Sequence, residues 1–155
     1  MDFAWGVSAV ALLLGAALGA RALIDPDWAA KFVRLKADEQ GGGQAEFRAT
    51  YGGVFFGLHA AALLLAIFYF IGGEYVIGVA ATGAGAVVAV GWAGAAFGRA
   101  IAIWRDGADT KFNRLSMAVE TGMALAIAMT WIVRFMFYRS PYLSNGTVRR
   151  LKSRK

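Results

Sequence analysis

Five ionisable side chains interrupt the long apolar segments of this sequence, and they are the residues with which it could do chemistry. Insertion scales assign about 2.5–3.5 kcal/mol to a charged residue at the centre of a membrane helix. Such residues therefore usually face the interior of a helix bundle and find partners there. The five are Arg21, Arg48, His59, Arg99 and Glu120. We expect a buried polar site between the helices that carry them.

Four of these residues are predicted to lie toward one side of the membrane. Arg21 is near the end of the first apolar segment, and Arg48 is at the start of the second. Arg99 is close to the end of the third segment, and Glu120 is early in the fourth. At a rise of about 1.5 Å per residue, Arg99 and Glu120 share a depth of about 8 Å. Because either charge alone would be poorly solvated there, we predict an Arg99–Glu120 contact.

The second apolar segment places polar residues on one helix face. At about 100° per residue, Arg48, Gly52 and His59 fall within about 40° of one another. Tyr51 lies beside this track, and the glycines at 52 and 53 leave room for a neighbouring helix or a ligand. The track would run from the membrane interface to His59 near the middle of the bilayer.

Two interpretations of these residues stay open, one functional and one structural. In the first, the arginines form an electropositive pocket that one carboxylate closes, suited to an amphiphile with an anionic or polar headgroup. In the second, Arg21 and Arg48 extend to the lipid headgroups. Arg99 and Glu120 would then lock the bundle, and His59 would bond a backbone carbonyl.

Three functions are compatible with this pattern. They are a protein that binds a lipid or another amphiphile, an accessory subunit of a larger membrane complex, and a small proton-coupled carrier that uses Glu120. Catalysis is a weaker hypothesis. Glu120 and His59 could exchange protons, but Ser8 and Ser116 stand alone without an adjacent base. We therefore assign no catalytic residue.

The composition excludes several kinds of site. The chain has no cysteine and one histidine, so disulfides, thiolate metal sites and bis-histidine haem ligation are excluded. We expect no cofactor and no metal. With 59% hydrophobic and 17% charged residues, the chain is typical of an integral membrane protein. Because basic residues flank the apolar segments, the net charge of +6 indicates contact with anionic membrane lipids rather than nucleic acid.

The apolar segments predict an all-α fold, a four-transmembrane-helix bundle, since about 20 apolar residues cross a bilayer. The predicted spans cover about residues 3–24, 48–71, 75–104 and 112–138. Asp25 and Pro26 predict the start of a short interfacial helix after the first span. Residues 1–138 would form one membrane domain, and residues 139–155 a basic tail. Basic residues on the two sides nearly balance, so the orientation stays open.

Small residues form a stripe on the third segment. They are Gly91, Gly94, Ala95 and Gly98, and they repeat at helical spacing. Stripes of this kind let helix backbones approach closely in lipid. We predict a helix contact there, with another helix of the chain, with a second copy, or with a larger membrane complex.

Three elements that occur in order carry a family resemblance. They are Arg48-x-x-Tyr51-Gly52-Gly53, then Gly98-Arg99 followed by Asp106-Gly107, then Glu120 early in the last segment. Over about residues 5–135 the chain resembles a family of small bacterial four-helix membrane proteins, catalogued as a domain of unknown function. Ala108 stands where that family usually has a proline. The resemblance implies a bacterial inner membrane and adds Asp106 to the site residues, but it implies no activity.

Overall fold

Helices account for nearly all of the described chain. The structure, a computed structural model, describes residues 2–36, 42–73 and 75–138, and no strand occurs in these ranges. The helices are α1 (Asp2–Ile24), α2 (Pro26–Val33), α3 (Gly42–Phe70), α4 (Tyr75–Arg105) and α5 (Lys111–Tyr138). All except α2 are long and apolar enough to cross a membrane. The predicted four-helix membrane bundle with a short helix after the first span is confirmed; the basic tail, residues 139–155, lies outside the described residues.

The second span begins earlier than the sequence indicated, at Gly42 rather than near Arg48. Polar residues there looked like a connection, but contacts with α2 hold them in helical form. The side-chain amide of Gln44 donates to the carboxylate of Asp27 at 3.1 Å. Phe47 is buried in a small cluster with Ala22 of α1 and Ala29 of α2. Tertiary contact therefore adds the turns that precede Arg48.

The four long helices form a closed ring. Helix α1 packs against α3 and α5, and α4 packs against the same two helices. Because consecutive long helices run in opposite directions, the bundle has two distinct ends. We call them the connection end, which includes α2 and residues 106–110, and the termini end, where α1 begins and α5 ends. All of the charged residues predicted to share one side lie toward the connection end.

Small side chains dominate the interior. Leu12 and Ile127 are the largest side chains that are fully buried. They belong to a cluster that otherwise contains Ala11, Ala62, Val88 and Ala89. Large apolar side chains point outward instead, where the bilayer would solvate them. This arrangement suits a protein whose exterior contacts lipid.

Helix α2 covers the connection end. The Asp25 carboxylate accepts the backbone N–H of Trp28 at 2.9 Å, and Pro26 occupies the first helical position, as predicted. The buried side of α2 includes Ala29, whereas Phe32 is exposed. The helix stops at Arg34, which takes a left-handed conformation at φ 60°. Its guanidinium then lies 3.7 Å from the ring centroid of Phe112, which ties α2 to the start of α5.

Candidate functional site

Arg99 and Glu120 form the predicted contact between α4 and α5. The Arg99 Nη2 atom donates to Glu120 Oε1 at 2.6 Å. Its Nε atom lies 3.1 Å from each carboxylate oxygen. Planar guanidinium groups match carboxylates in this way, and charge-assisted bonds of this kind are among the strongest in proteins. The predicted contact is confirmed, and it is an ion pair with several hydrogen bonds.

The two partners lie at different distances from their helix ends. Arg99 lies six residues before Arg105, and Glu120 lies nine residues after Lys111. The difference of three residues corresponds to about 4.5 Å along a helix axis. The matched depth expected from the sequence is therefore only approximate. The long arginine side chain spans the remaining offset.

Asn113 is a third member of this group, and the sequence analysis missed it. Its Oδ1 atom accepts from Arg99 Nη1 at 3.1 Å, while its Nδ2 donates to the carbonyl of Ala108 at 2.7 Å. Its backbone N–H donates to Thr110 Oγ1 at 3.1 Å, which caps the start of α5. Asn113 lies seven residues before Glu120, two helical turns away on the same face. That spacing was the signal for it.

This group joins α4, the connecting turn and α5 into one clamp. Glu120 is buried, and the side chain of Arg99 keeps 29% of its surface exposed. Both carboxylate oxygens accept from Arg99. This arrangement indicates a structural role: the carboxylate neutralises the guanidinium and holds α4 against α5.

Arg48 has a different set of partners. Its Nη1 atom donates to the carbonyl oxygens of Leu23 and, at 3.4 Å, Ile24. The last carbonyls of a helix have no partner within the helix, so this arginine caps the end of α1. Residues Phe47–Val54 of α3 are π-helical, and Arg48 lies in this widened stretch. Among the described residues, no hydrogen bond or ion pair joins Arg48 to Arg99 or Glu120.

The neighbours of Arg48 on α3 separate into an exposed and a buried residue. The ring of Tyr51 lies 5.4 Å from that of Phe47, and Tyr51 is 39% exposed. Gly52 is buried because α1 runs directly over it. A Cβ at position 52 would lie 2.7 Å from the side chain of Leu23. The room expected beside Gly52 is therefore filled by a helix of the same chain.

His59 is enclosed within the bundle. Its Nδ1 bonds the carbonyl of Phe55 at 2.7 Å, and the indole N–H of Trp92 donates to Nε2 at 2.9 Å. Because indole can only donate, Nε2 accepts, and the proton of the neutral ring is assigned to Nδ1. The ring fills the space that the missing side chain of Gly15 leaves. Both nitrogens have partners, so His59 ties α3 to α4.

The remaining predicted residues lie apart from these groups. The Arg21 guanidinium lies 4.5 Å from the ring centroid of Trp28, at the junction of α1 and α2. Asp106 is exposed in the turn after α4, next to Gly107, which takes a positive φ of 64°. The expected single electropositive pocket is thus divided among separate sets of contacts. Among the described residues, no three side chains of metal-ligating type converge.

The small-residue stripe of α4 faces outward. A Cβ added at Gly91, Gly94 or Gly98 would meet no atom within 4 Å, and Ala95 is exposed. Within the described residues, the stripe therefore contacts no other helix of this chain. Of the contacts predicted for it, those with a second copy or another protein remain predictions.

The outer face of α4 carries a shallow, open depression between its own side chains, which was not anticipated and which we call the groove. It has a volume of about 330 Å³ and lies toward the connection end. Its lining consists of Phe97, Ala100, Ile101, Trp104 and Arg105. These positions follow the spacing of one helix face, so the pattern was present in the sequence. No carboxylate among the described residues pairs with Arg105.

Comparisons with family models, curated proteins and solved structures find no match for this chain. The family resemblance therefore stays a prediction, and the assignment of function depends on the geometry above.

Proposed function

We propose that this multi-pass membrane protein is not an enzyme and binds an anionic phospholipid at its connection end. The groove on α4 is the observation that carries the proposal. Three of its lining residues, Phe97, Ala100 and Ile101, are apolar. Trp104 and Arg105, which are both exposed, lie at the end of the groove where α4 ends. The acyl chain of a lipid would contact the apolar residues, and its phosphate would contact Arg105.

The guanidinium supplies the selectivity. An acyl chain is as well solvated by other lipids as by the groove, so apolar contact alone distinguishes little. Arginine is always charged and presents a planar fork that fits a phosphate. Attraction of an anionic headgroup to one such residue is worth about 1 kcal/mol, or about fivefold in occupancy. Tryptophan, as at Trp104, is favoured at headgroup depth.

The interior polar residues favour this function over catalysis or transport. Arg48 caps α1, and Trp92 occupies the Nε2 atom of His59. A proton carrier that uses Glu120 is less well supported, because Arg99 bonds both of its oxygens. The bacterial inner membrane is part of the proposal as well, and only the family resemblance supports it.

Native mass spectrometry of the detergent-purified protein tests the proposal. We expect the wild type to retain more phosphatidylglycerol than phosphatidylcholine. In Arg105→Gln this preference should fall about fivefold. Trp104→Ala should weaken retention of both lipids. Lys31→Gln is the matched control, because it removes an exposed positive charge from α2 that does not line the groove. Equal retention of the two lipids by the wild type, or an unchanged preference in Arg105→Gln, would contradict the proposal.

A second function, as a subunit of a membrane assembly, is favoured by the outward stripe of α4. Space beside Gly94 and Gly98 would let another helix approach closely. Cross-linking in native membranes should capture a partner or a second copy, and Gly94→Leu should abolish the product. Gly122→Leu is the control, since Gly122 is equally open but lies on α5. A product that persists in Gly94→Leu would argue against this surface.

A further inference from the structure

Arg134 places a positive charge within the last helix, near the termini end of the bundle. It lies four residues before the end of α5 at Tyr138. Its guanidinium lies 5.4 Å from the ring centroid of Tyr75 on α4. At about 1.5 Å per residue, this position is about 6 Å from the helix end, within reach of the headgroup layer.

A missing side chain on α4 gives Arg134 its place. A Cβ at Gly78 would lie 3.0 Å from Arg134 Nη2 and 2.7 Å from the ring of Tyr69. Gly78 therefore admits an arginine from α5 and a tyrosine from α3 to the same notch. Three helices meet there, and Arg134 is held half-buried.

Among the described residues, Arg134 contacts the aromatic ring of Tyr75. Within residues 2–36, 42–73 and 75–138, its contact is with an aromatic face, and no carboxylate or carbonyl accepts from it. An arginine has five N–H donors in a fixed fork. Arg99, by contrast, donates to a carboxylate and to Asn113. A half-buried guanidinium whose contacts are rings calls for an anionic acceptor.

We propose that Arg134 binds the phosphate of an anionic lipid at the termini end, between α4 and α5. The ring of Tyr75 is largely exposed beside it and would cover one side of the headgroup. A phosphate accepts bidentate bonds from guanidinium and complements its charge. This site lies at the opposite end of the bundle from the α4 groove, and it does not depend on that groove.

Thermal unfolding in the Arg105→Gln background, which weakens the preference of the groove for an anionic lipid, tests this site. We would add phosphatidylglycerol to the delipidated protein in micelles and measure Tm. Linkage predicts a rise of about 3–6 °C at lipid concentrations tenfold above Kd. Arg134→Gln should abolish the rise, Arg134→Lys should retain part of it, and Lys31→Gln should leave it intact. An unchanged rise in Arg134→Gln would overturn the proposal.

Two further arms identify the ligand. Phosphatidylcholine should give no comparable rise, since it carries no net charge. Inorganic phosphate at equal concentration should also give none. A rise with phosphate equal to that with phosphatidylglycerol would overturn the assignment to a lipid and indicate a free anion.

Glu74 directly precedes Tyr75 in the sequence and is the rival acceptor. Glu74→Gln should preserve the rise with phosphatidylglycerol. A double-mutant cycle in lipid-free micelles provides the second readout. Non-additive destabilisation by Glu74→Gln and Arg134→Gln, together with no response to lipid, would assign Arg134 to an internal ion pair and reject the lipid site.

Discussion

The α1–α3 pair and the α4–α5 pair differ in the contacts that hold their connection-end halves together. Three glycines, Gly15, Gly19 and Gly52, lie in the α1–α3 contact: a Cβ at Gly19 would lie 2.5 Å from the backbone nitrogen of Phe56. Between α4 and α5 a charged clamp holds the hairpin, and Gly94 and Gly122 face open space. Close backbone approach joins the α1–α3 pair, whereas the α4–α5 pair adds an ion pair to its packing contacts, such as that of Gly85 with Ile127.

This difference indicates which surfaces can meet a ligand. The α1–α3 interface is closed, so its glycines serve packing within the chain. The outer face of α4 carries both the open stripe and the groove that ends at Arg105. Small residues that the chain does not use for its own packing are available to lipid or to another helix. The proposed interactions therefore concentrate on α4.

Removal of the clamp should have the largest effect. Glu120→Ala leaves the Arg99 guanidinium half-buried without its carboxylate, which should cost about 3 kcal/mol, at the lower end for buried pairs because Arg99 is partly exposed. Reversible unfolding in mixed micelles would measure this loss. Arg114→Ala, which removes the exposed ion pair between Arg114 and Asp109, is the control and should change much less. Equal losses in both variants would contradict the distinction.

A large side chain at a glycine within a helix contact should have the next largest effect on the free energy of unfolding. Gly19→Leu places a side chain against the backbone of Phe56, and overpacking of this kind costs about 2 kcal/mol. The same substitution at Gly94 meets open space and should leave the unfolding free energy of the isolated protein nearly unchanged. Unfolding of the two variants side by side tests whether the α1–α3 pair depends on close approach. A Gly94→Leu loss as large as that of Gly19→Leu would be inconsistent with an outward stripe.

Loss of the hydrogen bond between Trp92 on α4 and His59 on α3 should destabilise the protein less. Trp92→Phe keeps an aromatic ring but removes the donor to His59 Nε2, and one lost buried hydrogen bond costs about 1 kcal/mol. His59→Phe should bring a larger loss, because it also removes the bond to the carbonyl of Phe55. The double variant should lose less than the sum, because both substitutions remove the bond between Trp92 and His59. Full additivity in unfolding measurements would show that the two residues act separately.

The smallest predicted effect is on the change of Tm at acidic pH. Arg114 donates two hydrogen bonds to Asp109, at 2.6 and 2.5 Å, and lowers the pKa of that exposed carboxyl below its ordinary value of 3.8. A lowered folded pKa contributes stability above the unfolded value, and this stability is lost as pH falls through the folded pKa. Asp109→Asn should therefore remove a small acid-dependent part of Tm below about pH 4. An identical Tm profile in both proteins would show that the pair contributes nothing.

Much of the fold and one part of the site were predictable. Four long apolar segments leave few alternatives in a bilayer, because backbone groups there must bond within a helix. Arg99 and Glu120 were paired correctly because each lies on one side of the same short turn. Asn113 was missed, although its spacing from Glu120 places it on the same face. Arg48 could not be assigned, since its acceptors are carbonyls at the end of α1, which every sequence contains.

The sequence by itself determined the number of spans, the position of α2 through its Asp25–Pro26 start, and the charge of the connection end. These depend on residue type and local spacing. Only the tertiary structure decided which face of each helix points into the bundle. This orientation buries Gly15 and Gly52 and leaves Gly94 open, although all three are glycines in apolar helices. A helix in lipid has apolar residues on every side, so hydrophobic periodicity does not orient it, and contacts between specific side chains must.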